Sequence, residues 1–117
     1  LPPVTWSETV SASARTWANH LREANYCDLE HEMSGAYGEN LAGGGGLTPS
    51  SAVDLWASEK DQYVFDPTYD FVAGHYTQIV WRDSIEIGCG IATCAGARSV
   101  VSCRYHPPGN VIGQQPY

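Results

Sequence analysis

The chain has 117 residues, with 13 acidic and 6 basic side chains and a formal net charge of -7. That length builds one hydrophobic core and is too short for two, while the acidity argues against nucleic acid or anionic membrane surfaces as default partners. Four tryptophans and seven tyrosines supply much of the area available for burial.

The four cysteines form an even set in a small, Gly-rich chain, which points to two disulfides and an oxidising compartment. Zinc is the competing use of four thiols, but no C-x-x-C element occurs, so a structural zinc site does not fit. No apolar run approaches the roughly 20 residues needed to span a bilayer, and the chain opens without a secretory leader. A secreted protein whose leader has been removed is the expectation that fits both absences.

In chain order, Thr5 or Ser7 is placed to cap a helix running to about Asn25, with Glu8 three residues beyond Thr5 as a capping box asks. Val10, Ala14, Trp17, Leu21 and Ala24 recur at three- and four-residue spacing, which predicts an amphipathic helix with Trp17 in the core. From Tyr26 to Gly46 the periodicity fails and glycine accumulates, so irregular backbone is expected there. A phosphate-binding loop would need a following Gly-Lys-Ser/Thr element, which is missing.

Thr48 before Pro49 reads as a capped helix start with proline at its first position, and the helix is expected to run to about Tyr63. Ala52, Trp56, Glu59 and Tyr63 then share a narrow arc. A carboxylate on that apolar face must be hydrogen-bonded, paired or bound to a cation. Beyond a loop holding Phe65, Tyr69 and Phe71 around Pro67, the run Gly74-His75-Tyr76-Thr77-Gln78-Ile79-Val80-Trp81 reads as a short helix. With Gly74 just outside it, His75 and Ile79 share one face, so the imidazole also needs a partner.

The second half changes period. Ile85, Ile87, Cys89 and Ile91 alternate with polar or small residues, as do Val101, Cys103 and Tyr105, predicting antiparallel strands over Ser84 to Ala92 and Ser99 to His106. A three-residue loop at 95–97 pairs Cys94 with Arg98 and hence Cys89 with Cys103, which leaves Cys27 for Cys94. The ending from His106 through Pro107, Pro108, Gly109 and Asn110 predicts an irregular tail laid across the domain.

Several of these runs together resemble the CAP superfamily, which groups cysteine-rich secretory proteins, wasp-venom antigens and plant pathogenesis-related proteins. The matching runs are Gly38-Glu39-Asn40-Leu41-Ala42, Trp56-x-x-Glu59-x-x-x-Tyr63, the stretch from Gly74 to Trp81, Gly88-Cys89-Gly90, and Pro107-Pro108-Gly109-Asn110-x-x-Gly113-x-x-Pro116-Tyr117. They stand in the family's order across nearly the whole chain. The resemblance implies one CAP domain over residues 1–117, of the fungal or plant pathogenesis-related type. Its fold would be α+β, a three-layer α-β-α sandwich around an antiparallel sheet with two disulfides, paired as above. CAP domains usually carry a further helix ahead of the position of Leu1, so this domain is expected to lack it. One flank would then be less covered, and an apolar patch there would favour self-association.

The resemblance also places two histidines and two glutamates in a central cleft: His31, Glu39, Glu59 and His75. Glu32 follows His31 where the family usually has serine. Two imidazoles and two carboxylates suit a divalent cation, zinc first, with the carboxylates as further ligands or ligand orienters. They would equally suit acid-base chemistry, or a hydrogen-bonded cluster that only holds loops to helices. No serine or cysteine sits in a motif that would make it a nucleophile. Tyr69-x-Phe71-x-x-x-x-Tyr76 matches an aromatic spacing linked to sterol binding in CAP proteins, and Tyr63 and Phe65 enlarge that apolar surface. Core packing is the plainer use of such a pattern. The function implied is that of a secreted, non-enzymatic binder of a sterol or fatty acid with a cation-capable cleft, serving defence, virulence or lipid export. A divalent-metal-dependent hydrolase and an extracellular protein-interaction module are the alternatives.

Overall fold

The computed structural model describes residues 3–32, 35–65 and 73–117. The first periodic run forms the longest helix, α1 (Glu8–Ala24). Ser7 caps it, its hydroxyl accepting from the Val10 N–H at 3.2 Å. Thr5 does not, because it lies in a short strand, β1 (Thr5–Trp6). Glu8 accepts instead from the Trp6 indole N–H at 3.0 Å, so the box expected with Thr5 is not formed. Val10, Ala14 and Leu21 are buried as their spacing predicts. Ala24 is exposed, and Trp17 is half-buried at the rim of the core, where its indole N–H donates to the Glu30 carbonyl at 2.8 Å.

The remaining elements are β2 (Gly38–Gly45), α2 (Pro49–Ala57), α3 (Gly74–Ile79), β3 (Glu86–Thr93) and β4 (Arg98–His106). The sheet order is β1-β3-β4-β2. Strands β3, β4 and β2 are antiparallel, and β1 adds two residues in parallel to β3. Strand β2 corrects the expectation of irregular backbone from Tyr26 to Gly46. Its order comes from pairing rather than from its own residues, since it lies in unbroken register with β4 from Gly38↔Tyr105 to Gly45↔Arg98. Gly46, at φ +65°, then turns the chain away.

Helix α1 covers one face of the sheet, where Ala18 and Leu21 pack with Leu41, Ala92 and Val100. Helix α2 covers the other, where Ala52 and Trp56 pack with Val101, Cys103 and Tyr105. That gives the three layers expected. On β3, however, the residues under α1 are the small even-numbered ones. A Cβ on Gly88 would overlap the Ser11 backbone, and one on Gly90 would overlap Arg15. Glycine is what lets the helix approach so closely. The odd-numbered Ile85 and Ile91 are 54% and 42% exposed. Together with Val4 and Trp6 at the β1 edge, Ile85 leaves apolar surface in water.

Thr48 caps α2 in a reciprocal box with Ser51, with Pro49 at the first position. The α-helix stops at Ala57, and the chain tightens into a 3₁₀ turn over Ser58–Gln62 rather than continuing to Tyr63. The change from 3.6 to about three residues per turn swings Glu59 and Tyr63 off the line of Ala52 and Trp56, and both are half-buried. Both disulfides, Cys27–Cys94 and Cys89–Cys103, pair as the strand register predicts. The tail after the cis His106–Pro107 bond is held to α3: buried Gln78 accepts from the Gly109 N–H at 3.1 Å and donates to Ser84 Oγ at 3.2 Å. No helix among the described residues is long and apolar enough to cross a membrane.

Candidate functional site

An open cleft of about 370 Å³ lies at the β2 end of the domain, lined by His31, Glu39, Asn40, Glu59, His75 and Asn110. All four residues placed there by their motifs line this one cleft. They do so as two pairs, approaching from opposite faces of the sheet.

The first pair stands on the α1 side. Glu39 is the partner of Arg104 in the β2–β4 register, and its Oε1 is 3.0 Å from His31 Nδ1. The other oxygen, Oε2, accepts from Arg104 Nε at 2.7 Å and from Ser102 Oγ at 2.9 Å. Burial alone would push the Glu39 carboxyl up, but the bonds from His31, Arg104 and Ser102 outweigh it and hold it below its ordinary 4.5. The Glu39 hydrogen bond raises His31 above 6.5, against the opposing effects of burial and of Arg104. Arg104 was not anticipated from the sequence. Its side chain is 4% exposed, it pairs with Glu32 at 2.8 Å as well as Glu39, and it donates to Ser13 of α1. The guanidinium also lies 5.8 Å from the Trp17 ring and 5.9 Å from that of Tyr37. A signal was available: between Cys103 and Tyr105, position 104 must face the opposite layer, and a charge there needs partners.

The second pair stands on the α2 side. Glu59, from the 3₁₀ turn, contacts His75 Nδ1 through Oε2 at 2.7 Å. Its Oε1 accepts the backbone N–H groups of His75 at 3.1 Å and Tyr76 at 3.2 Å. Glu59 therefore caps α3, whose preceding residue Ala73 has no side chain able to do so. Gly74 is the first residue of α3 rather than lying outside it. The His75 ring stacks 6.0 Å from that of Trp56. Asn40 bridges the walls, donating to the His75 carbonyl at 3.0 Å and to the Tyr105 hydroxyl at 3.2 Å. Asn110 donates to the Gly74 carbonyl at 2.9 Å and accepts from Thr77 Oγ1 at 2.7 Å. Burial pushes the Tyr105 hydroxyl well above the ordinary tyrosine range, so it stays protonated.

A carboxylate only accepts, so each Nδ1 carries the hydrogen, and a neutral ring then presents its lone pair on Nε2. Imidazoles oriented in this way through Nδ1 are the usual ligands of a borderline divalent cation. Among the described residues no three His, Cys, Asp or Glu side chains converge into one ligand group. The donor chemistry fits a cation held by the two imidazoles, with water or a bound molecule completing its coordination. The described residues that line the cleft are histidine, glutamate, asparagine and glycine, and both cysteine pairs are oxidised.

Of the five aromatics expected to bind an apolar ligand, Tyr69 and Phe71 lie outside the described residues. Tyr63 and Phe65 are half-buried. Tyr76 is 7% exposed and packs among aromatics: its hydroxyl is 3.2 Å from that of Tyr117, and the Tyr63 ring is 5.9 Å from its own. The Tyr117 bond, with burial, pushes the Tyr76 hydroxyl up to about 12.

A family model described as "Cysteine-rich secretory protein family" matches residues 1–105. Pathogenesis-related protein 1C of Nicotiana tabacum is 47% identical over 120 residues, covering 98% of this chain and 70% of that protein. Pathogenesis-related protein 1 of Arabidopsis thaliana is 46% identical over 117 residues, covering 98% and 71%. Among solved structures, BmVAL-1 superposes with a TM-score of 0.77 at 27% identity, covering 97% of this chain and 63% of that one. Na-ASP-1 does so with a TM-score of 0.73 at 26% identity, covering 97% and 32%. The chain thus spans less than two thirds of the length of either solved chain. With the fold, both disulfides and the paired His and Glu residues in place, this chain belongs to the cysteine-rich secretory protein, or CAP, family.

Proposed function

We propose that this protein acts outside the cell as a non-enzymatic binding protein in defence, with a divalent cation, zinc for preference, held in its cleft by His31 and His75. The observation that carries the cation is the shared geometry of the two imidazoles: each is fixed through Nδ1 by a glutamate, at 3.0 Å from Glu39 and 2.7 Å from Glu59. This leaves Nε2 as the free donor on both walls. The defence setting is supported by the pathogenesis-related names of relatives at 47% and 46% identity. Secretion is supported by two disulfides in so short a chain. With only two protein ligands the cation would exchange readily. A water bound to it would be a hydrolytic nucleophile, and hydrolysis is the lesser reading.

Titration with zinc chloride tests this. His31→Ala and His75→Ala should each weaken binding by about tenfold or more. Unchanged affinity in the double variant would exclude the cleft as the site.

The apolar-ligand reading has a separate observation behind it. Val64 is 70% exposed between half-buried Tyr63 and Phe65, which leaves apolar surface just ahead of the sequence segment that carries Tyr69 and Phe71. A sterol or fatty acid would bind there by burying its body against those rings. Phe71→Ala should abolish saturable sterol binding and leave zinc affinity intact.

A further inference from the structure

A second pocket lies at the opposite end of β4 from the cleft. Arg98 opens the strand six residues before Arg104, a separation of about 20 Å in extended chain. The pocket, of about 370 Å³, is lined by Arg22, Tyr26, Thr93, Arg98 and the Cys27–Cys94 disulfide. Two of the chain's six basic side chains therefore line this pocket, in a protein of net charge -7.

Tyr26 is the unusual member. It follows the C-cap of α1 with φ +55°, in the left-handed region where glycine or asparagine is the usual choice. Its side chain is 92% exposed, so the ring buries almost nothing in return for that backbone. Cys27 is also left-handed, at φ +62°, and is fixed by its disulfide and by its N–H to the Leu21 carbonyl at 2.9 Å. Nothing in the packing selects a tyrosine here, and a strained, exposed aromatic beside a pocket is a feature of binding sites.

The arginines are also available. Among the described residues Arg22 pairs with its exposed neighbour Glu23 alone, at 3.1 Å, a contact that contributes little in water. The Arg98 guanidinium makes no hydrogen bond or ion pair among the described residues, and it lies over Gly43 of β2, where an added Cβ would come within 3.2 Å of it.

We infer that this pocket binds a uronic-acid-type sugar within an acidic oligosaccharide. The carboxylate would accept paired N–H bonds from the planar guanidinium groups, the flat apolar face of the pyranose would lie on the Tyr26 ring, and Thr93 offers a hydroxyl to the sugar's own. Paired arginines also read acidic peptides, and poly-L-glutamate is the comparison that separates the two; the exposed Tyr26 ring, a platform for a pyranose face, favours the sugar. This pocket has a disulfide floor and a ring standing out in solvent.

The test is calorimetric titration of the full chain with trigalacturonic acid, with neutral galactotriose and poly-L-glutamate as comparisons. A chelator is present throughout, so that the metal cleft plays no part. Trigalacturonic acid should bind saturably and more weakly as salt rises, with galactotriose undetectable and poly-L-glutamate far weaker. Arg22→Gln and Arg98→Gln should each weaken binding about tenfold. Tyr26→Gly should weaken it comparably while leaving the melting temperature unchanged or higher, which separates lost binding from lost fold. Equal affinity in the Arg22→Gln/Arg98→Gln double variant, equal affinity for poly-L-glutamate, or no saturable binding by the wild-type chain would each overturn the proposal.

Discussion

The two walls of the cleft use the same pair of residue types and hold them by different physics. On the α1 wall Glu39 is buried, with a side chain 7% exposed, and its charge is balanced by Arg104, itself tied to Glu32 and Ser13. On the α2 wall Glu59 is 25% exposed, and its charge is spent on the N-terminus of a six-residue helix. The first wall is an ion network inside the sandwich, and the second is a helix cap at its surface. A histidine hangs on each, so the cleft joins a rigid side to one that a single short helix positions.

The largest effect should follow from breaking the ion network. Arg104→Ala removes the guanidinium that Glu39 and Glu32 share, a group that also packs beside Trp17 and Tyr37. Loss of one member of a buried pair costs about 3–5 kcal/mol, and urea denaturation should register a deficit of that order. Arg104→Lys keeps the charge but not the fork, and should lie between the variant and the wild type. If Arg104→Ala lost under about 1 kcal/mol, Glu39 would be tolerating its buried position without Arg104, and the contrast between the walls would fail.

The α2 wall should respond less, and locally. Glu59→Ala removes the acceptor of two α3 N–H groups and the partner of His75, for a loss of about 1–2 kcal/mol. Amide exchange should quicken at His75 and Tyr76 while the Val100 and Val101 amides in β4 stay protected. Uniform quickening would mean that α3 is not held separately from the sheet.

Much of this site was legible in the sequence because its residues sit in dense motifs. Glu59 and His75 each stand out as polar groups on a face that should be apolar, and they turn out to be each other's partners. The disulfides followed from strand parity, which a single turn length fixes. What could not be read was order supplied from outside a segment. Gly43, Gly44 and Gly45 have no strand preference and are extended because β4 lies beside them. Gly88 and Gly90 looked like gaps in an apolar alternation, yet their missing side chains are where α1 sits. Arg104 lies on the even-numbered face of β4, which the alternation of Val101, Cys103 and Tyr105 left unread, and Glu32 supplies its second carboxylate.

The smallest effect, and the one that discriminates most finely between the walls, concerns pH. His31 has its pKa raised by Glu39, so its share of stability is complete below about 6.5 and is lost as pH rises through the raised value. Glu39 has its pKa lowered, so its share is present above about 4.5 and is lost as pH falls through the lowered value. Between those limits the pair is fully charged. His31→Ala should therefore destabilise the protein more at about pH 5.5 than at about pH 8, by well under 1 kcal/mol because the imidazole is 57% exposed. Zinc reverses the sign, since only the neutral ring can take a cation on Nε2. Acidification should weaken zinc binding from above pH 6.5, because His31 takes up its proton earlier than a free histidine. Thermal unfolding of wild type and His31→Ala with and without zinc across that range measures both signs together. The proton and the cation compete for one imidazole, and Arg104 sits beside Glu39 opposing the proton. An Arg104→Met variant that still folds should shift the onset of zinc loss to higher pH, whereas Glu59→Gln on the other wall should leave the His31 titration where it is.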